Sequence, residues 1–214
     1  MKILCDEKSF AVCEKSAGVL SQEGDGISMP SMLREELGCS DIYPVHRLDA
    51  AASGLMVFAK SRSAAAFLSA KIAQGEFIKE YLCVVSGRPA EEEGVYEDLL
   101  FKDSARNKSF VVKTERKGVK KAKLSYRVLG SAEASNGALS LVRVRLFTGR
   151  THQIRVQFSS RGMPLYGDGK YGAKDNSGEL ALFSCYLSFP DPDTGDSLCF
   201  ESSPPNKKPW DMFK

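Results

Sequence analysis

No apolar run in this 214-residue chain approaches the ~20 residues needed to cross a bilayer. The N-terminus, Met1-Lys2-Ile3-Leu4-Cys5-Asp6-Glu7, lacks the layout of a signal peptide. A cytoplasmic protein with no membrane contact is therefore expected. The sequence also lacks any C-x-x-C pair. Cys5, Cys13, Cys39, Cys83, Cys185 and Cys199 are scattered, which argues against a zinc site and, in a chain this long, against a disulfide framework. Most sit in apolar runs and are expected to pack as small hydrophobes. There is no internal repeat and no break in composition that would mark a linker, so a single domain over 1–214 is expected. With 43% hydrophobic and 27% charged residues, the composition is that of an ordinary globular protein.

Charge of one sign is concentrated in one place. The chain carries a formal +3, yet ten basic residues crowd between Lys102 and Arg127 against only Asp103 and Glu115, a local +8. The remainder is net acidic. A basic block this dense suits a polyanion, and nucleic acid is the leading candidate. The competing explanation is a solvated hairpin whose lysines guard an exposed edge.

Periodicity gives the elements. Ile3 to Cys5 and Phe10 to Glu14 read as a hairpin. Pro30 to Leu37 reads as a short helix closed by Gly38, and Arg62 to Gln74 as an amphipathic helix closed by Gly75. Phe77 to Ser86 alternates as a strand. Val95 to Phe101, Ser109 to Lys113 and Ala122 to Leu129 form short strands around the basic block. Leu139 to Phe147 reads as a central strand, and Ala181 to Phe189 and Leu198 to Phe200 as two more. Strands outnumber helices and arrive in antiparallel runs. The fold class expected is α+β, with a large mixed, mainly antiparallel β-sheet flanked by helices and loops.

Two stretches have the chemistry of a site. The first is Val45-His46-Arg47-Leu48-Asp49-Ala50-Ala51-Ala52-Ser53-Gly54-Leu55. The apolar run from Ile42 to Leu48 reads as a strand ending in a carboxylate, followed by a tight connection and a second strand, Leu55 to Ala59. A strand-end Asp beside apolar residues is costly unless it is paired or working; capping a turn is the bland alternative. The second is Phe147-Thr148-Gly149-Arg150-Thr151-His152-Gln153-Ile154-Arg155. Here Thr151 is expected to cap a helix running to Ser160, with His152, Arg155 and Ser159 on one face. A helix N-terminus preceded by Arg150 suits a phosphate, and a basic surface helix is the plainer alternative. Gly167-x-Gly169-x-x-Gly172 spells a dinucleotide fingerprint, but no strand leads into it and no helix opens from it, so it reads as a turn-rich loop.

Three separated segments resemble one family in order. His46-Arg47-Leu48-Asp49 with Ser53-Gly54-Leu55 comes first. Lys79-Glu80-Tyr81 with Val85 and Gly87 follows. Thr148-Gly149-Arg150-Thr151-His152-Gln153-Ile154-Arg155, extended by Gly167-Asp168 and Tyr171-Gly172, completes the set. The chain resembles the RNA pseudouridine synthases of the RluA family from about Ile3 to Phe200. It departs at Ala52, where the family often has Thr, at Lys15-Ser16-Ala17-Gly18, where it has Lys-Pro-Ala-Gly, and at Cys83, where it has Ala. None of these removes a catalytic group. Many relatives carry an S4 RNA-binding domain before the catalytic one; this chain has no room for it, so the catalytic domain itself is expected to recognise RNA.

The resemblance implies isomerisation of uridine to pseudouridine in structured rRNA or tRNA. The nucleotide flips out, the N1–C1′ bond breaks, the uracil turns and C5 joins C1′. It implies Asp49 as the essential carboxylate, acting either by attack on C1′ or by removing the C2′ proton. Arg155 would pair with it and keep it ionised, and Tyr81 would lie against the uracil. Arg47, His46, Arg150, His152 and Gln153 would contact RNA, with Arg47 a candidate to fill the space the flipped base leaves. No metal or organic cofactor is implied. The expected partner is RNA rather than DNA, and the expected state a monomer. A glycoside hydrolase would need a second carboxylate at a defined separation from Asp49, and none is marked. A stacking RNA-binding module would explain the charge but not why Asp49 and Arg155 both stand in register. A Ser53/His152/Asp49 triad lacks the nucleophile-elbow sequence.

Overall fold

A computed structural model describes residues 1–135, 137–175 and 178–213. In chain order the elements are β1 (Lys2–Asp6), β2 (Phe10–Lys15), α1 (Met29–Leu37), β3 (Tyr43–Pro44), β4 (Ser53–Ala59), α2 (Arg62–Gln74), β5 (Ile78–Ser86), β6 (Glu93–Asp103), β7 (Lys108–Val112), β8 (Val119–Ala134), β9 (Gly137–Leu146), α3 (Gln153–Ser159), β10 (Leu182–Pro190) and β11 (Ser197–Glu201). Strands dominate, pairing is mainly antiparallel, and the α+β class expected from the sequence is the one found. None of the described helices is long and apolar enough to cross a membrane.

Contacts divide the chain into two compact units, Met1–Lys79 with Phe183–Pro204 and Glu80–Leu182 with Pro205–Lys214. In the first, strands lie in the order β1-β2-β4-β10, with β3 on β4 and β11 on β10. β4 and β10 run parallel and pair only through Ser53 and Gly54. Phe10, Val12, Leu55, Val57, Leu187 and Phe189 from these strands pack with Ala64 and Leu68 of α2 and with Phe77. The helix spacing read from Ala64, Phe67, Leu68 and Ile72 is what aims α2 at this core. Ser61 caps α2 by accepting from the Ala64 N–H, and Gly75 closes it in the left-handed region. Ser28 and Gly38 do the same for α1.

In the second unit the order is β5-β9-β8-β6-β7, every pair antiparallel. The strands around the basic block are longer than expected: β6 has 11 residues and β8 has 16. The reason is visible in β8, where Ala122, Leu124 and Tyr126 are buried while Lys121, Lys123 and Arg127 between them are exposed. Alternation lets a charged sequence stay in a sheet.

Two expectations for the site segments are corrected. Residues 42–48 do not form a strand: only Tyr43 and Pro44 pair with β4. Pro44 has no N–H to give, and the backbone beyond it finds a side chain instead of a strand. Thr151 does not cap the third helix. The cap is His152, at φ +53° with no side-chain cap bond, and the helix holds seven residues. Nor is it a surface helix, since Gln153 to Phe158 are all buried.

Candidate active site

In the first unit Asp49 stands on a turn, not a strand end. The Ala52 N–H bonds to the Asp49 carbonyl at 3.0 Å. The residues on either side of Asp49 are tied down by groups remote in sequence. The Leu48 N–H donates to Ser21 Oγ at 3.0 Å, and that hydroxyl donates to the Leu48 carbonyl at 2.7 Å. The Ala50 carbonyl accepts from Lys15 Nζ at 3.0 Å and from the Gly18 N–H at 2.8 Å. Lys15 also donates to the carbonyls of Ser16 and Val19. Its side chain is buried, which lowers its pKa to about 8, although the nearby Asp49 charge pulls the other way. The backbone of the loop around the half-buried Asp49 is therefore held from both sides.

Neighbours on the loop divide by exposure. Arg47 is exposed, while His46 and Leu48 are buried. His46 Nε2 accepts the Val57 N–H at 3.1 Å, so its proton is on Nδ1, which finds no hydrogen-bond partner. Burial, with the Lys79 charge added, lowers the His46 pKa to about 3. Read from sequence as an RNA contact, His46 here is a neutral ring that fastens the loop to β4. Gly54 has its own reason for being glycine. Its φ is +110°, and a Cβ there would meet the Ser184 backbone at 2.4 Å.

In the second unit Tyr81 lies on β5 opposite Val144, 5% exposed. Arg155 on α3 is buried and gripped by a carboxylate the sequence reading gave no role. Its Nε reaches Asp168 Oδ2 at 2.7 Å and its Nη2 reaches Oδ1 at 2.8 Å. This bidentate fork fixes the plane of the guanidinium. The face of Tyr171 lies 5.1 Å from the Arg155 guanidinium carbon. The Tyr171 hydroxyl bonds with His152 Nδ1 at 3.0 Å and accepts from the Ser109 N–H at 2.8 Å. The loop carrying Asp168 and Tyr171 is the one that spelled a spurious dinucleotide fingerprint. The only sequence signal for its role was its place at the end of the family motif.

Gln153 and Arg150 shape the turn before α3. Gln153 Oε1 accepts from the Arg150 N–H at 3.1 Å and from Thr148 Oγ1 at 2.7 Å, and its Nε2 donates to the Lys123 carbonyl at 3.1 Å. Arg150 Nε donates to the Lys121 carbonyl at 2.9 Å. Gln153 is buried, so within this unit its amide serves as a clamp between the turn and β8. Among the described residues, no group of three or more His, Cys, Asp or Glu side chains is placed to hold a metal ion.

Comparison with known proteins places these motifs. The family model for RNA pseudouridylate synthase matches residues 9–160. An uncharacterized RNA pseudouridine synthase of Aquifex aeolicus is 30% identical, over 96% of this chain and 70% of that protein. Another from Bacillus subtilis is 35% identical over 81% of this chain and 58% of that protein. Ribosomal large subunit pseudouridine synthase D of Zymomonas mobilis is 32% identical over 75% and 52%. The chain thus spans between about half and 70% of the length of these relatives. Among solved structures, human RNA pseudouridylate synthase domain containing 1 superposes with a TM-score of 0.80 at 22% identity, covering 94% of this chain and 83% of that one. Domain containing 4 gives 0.77 at 23%, covering 95% and 88%. At those identities the structures speak for the fold alone. With the family model covering the Asp49 loop and Arg155 together, the chain belongs to the RNA pseudouridylate synthase family.

Proposed function

We propose that this protein converts uridine to pseudouridine in RNA, with Asp49 as the essential carboxylate and Tyr81 and Arg155 as its catalytic partners. The observation that carries this reading is the Asp49 turn. It lies inside the segment matched by the family model and has its backbone tied on both sides to the buried side chains of Ser21 and Lys15. A group that must meet C1′ or C2′ of a ribose has to be held in place before the substrate arrives.

The reaction balances without an added reactant. The N1–C1′ bond breaks, the uracil turns, the C5–C1′ bond forms, and the proton lost from C5 is matched by one gained at N1. Asp49 either attacks C1′ and is later displaced, or takes the C2′ proton to give a glycal and returns it. Either role needs an ionised carboxylate, and a guanidinium of fixed orientation such as that of Arg155 supplies the opposite charge. Tyr81 offers a ring to the uracil and a hydroxyl near the C5 proton. Uridine in folded RNA exposes neither C1′ nor C5, so the nucleotide is flipped out at a cost of roughly a few kcal/mol. Exposed Arg47 is the candidate to occupy the vacated space. The basic segment 102–127 and Arg150 contact phosphates. Relatives named for the large ribosomal subunit make its RNA the first substrate to test, with tRNA as the comparison.

The test is incubation of pure protein with each RNA and measurement of pseudouridine by mass spectrometry. Wild type forms product in one of them, and Asp49→Asn forms none above background while still binding RNA. Product formed equally by Asp49→Asn removes that residue from its role.

A further inference from the structure

The active-site residues use one side of the second unit's sheet and leave the other side unexplained. Direct cross-strand partners share a face. The face opposite Leu124 and Val144 carries the row Glu97, Lys123 and, one residue beyond β9, Phe147, whose N–H bonds to the Lys123 carbonyl at 3.1 Å. Phe147 is 50% exposed, unusual for an aromatic of this size. Two cations stand over its ring, Lys123 Nζ at 5.8 Å and the Arg145 guanidinium at 5.5 Å. Farther along the same face Phe101 pairs with Phe110, and the Arg116 guanidinium lies 4.8 Å from the Phe101 ring. Phe101 is opposite Val119 on β8, four residues from Lys123, so the two aromatic positions are offset by about 13 Å along the strands, on opposite sides of β8, and serve separate bases. A groove of about 610 Å³ beside the first position is lined by Arg127, Arg143 and Arg145 together with Glu80 and Glu93, which pair with Arg143 and Arg127 and leave Arg145 as its cation without a carboxylate contact among the described residues.

We propose that this open face, centred on Phe147, Lys123 and Arg145 with Phe101 and Arg116 as a second station, binds an unpaired segment of the substrate RNA outside the active site. The inference rests on the RNA reading above and adds a second, sheet-borne contact to it. Exposed rings stack on bases of any sequence, and neighbouring cations take the phosphates between them. A protein partner is the less favoured occupant, because arginines beside aromatic rings match a polyanion with flat bases.

Fluorescence anisotropy with a labelled, unstructured 12-nucleotide RNA of mixed sequence tests this on the full chain. Phe147→Ala is expected to weaken binding roughly 5- to 150-fold, the range for one stacked base, and Phe147→Trp to restore it. Arg145→Ala is expected to lower the salt dependence, log K against log salt, by about 0.7. Thermal melting of each variant separates lost contact from lost fold. Asp49→Asn, which removes the reaction but leaves this face intact, is expected to bind the oligonucleotide as wild type does. Failure of wild type to modify any RNA would therefore count against the functional reading and not against this face. Affinity and salt slope unchanged in both Phe147→Ala and Arg145→Ala, whether the face then binds a protein or nothing, overturn the inference.

Discussion

His46 and Asp168 show how much a single side chain can owe to its surroundings. With its pKa near 3, buried His46 stays neutral while its unfolded counterpart protonates around 6.5. Between those values the unfolded state holds the extra proton, so stability falls as the pH drops through that window, by about 1.4 kcal/mol per pH unit for one proton. His46→Gln can keep an acceptor for the Val57 N–H but cannot titrate. Urea unfolding at pH 7, 5.5 and 4 should show a shallower acid loss for this variant than for wild type. Asp168 is a different case. It and Arg155 are both buried and joined by two hydrogen bonds. Asp168→Ala leaves a buried guanidinium without its fork and should cost about 3–5 kcal/mol in denaturant unfolding. Under conditions where the variant remains folded, it should also lose most of its turnover, because the orientation of Arg155 is gone. Lys15, at the end of β2, can be buried beside the Asp49 turn because three carbonyls surround its ammonium.

At the scale of elements, the β4–β10 contact is the weak joint of the first unit. Only Ser53 and Gly54 pair with β10, and the strands meet closely because residue 54 has no side chain. Gly54→Ala adds a Cβ 2.4 Å from backbone and places an L-residue at φ +110°. Overpacking and strain of this kind each cost about 1–3 kcal/mol. A melting temperature lowered by several degrees is expected, together with reduced activity, since β4 follows directly on the Asp49 turn. The Ser-Gly-Leu of the motif is thus a packing requirement as well as a sequence signature. α3 makes the complementary point. Its helical spacing was plain, but its burial was not, because Gln153, Arg155 and Gln157 look like solvent-facing residues until their partners are known. Gln157 reaches Asp98 at 2.7 Å and Arg155 reaches Asp168, neither pair being adjacent in the chain.

For the whole molecule, charge balance matters more than charge count. The local +8 of segment 102–127 overstates what RNA meets. Lys123 pairs with Glu97 at 2.6 Å, Arg127 with Glu93 at 3.2 Å and Lys121 with Glu115 at 3.5 Å. These exposed pairs are worth at most about 1 kcal/mol each, so they add little stability, but they compete with phosphates for the same cations. Glu93→Gln with Glu97→Gln should bind RNA more tightly, up to about fivefold for each pair released. The gain should shrink as salt rises. Equal affinity at low salt would show that the two cations do not meet RNA.

What the sequence determined by itself is what depends on neighbours along the chain. Helix α2 and its caps, the hairpin at the N-terminus and the alternation of β5 and β9 were legible because period and turn chemistry are local. The family motif made Asp49, Tyr81 and Arg155 legible as chemistry, although not as geometry. Only the tertiary structure decided that Asp49 rides a turn held by Lys15 and Ser21, that His46 and Gln153 are buried clamps, and that Asp168 holds Arg155. Each of these is a polar group satisfied by a partner from another segment. A buried donor or acceptor must be satisfied, but its own sequence does not say by whom.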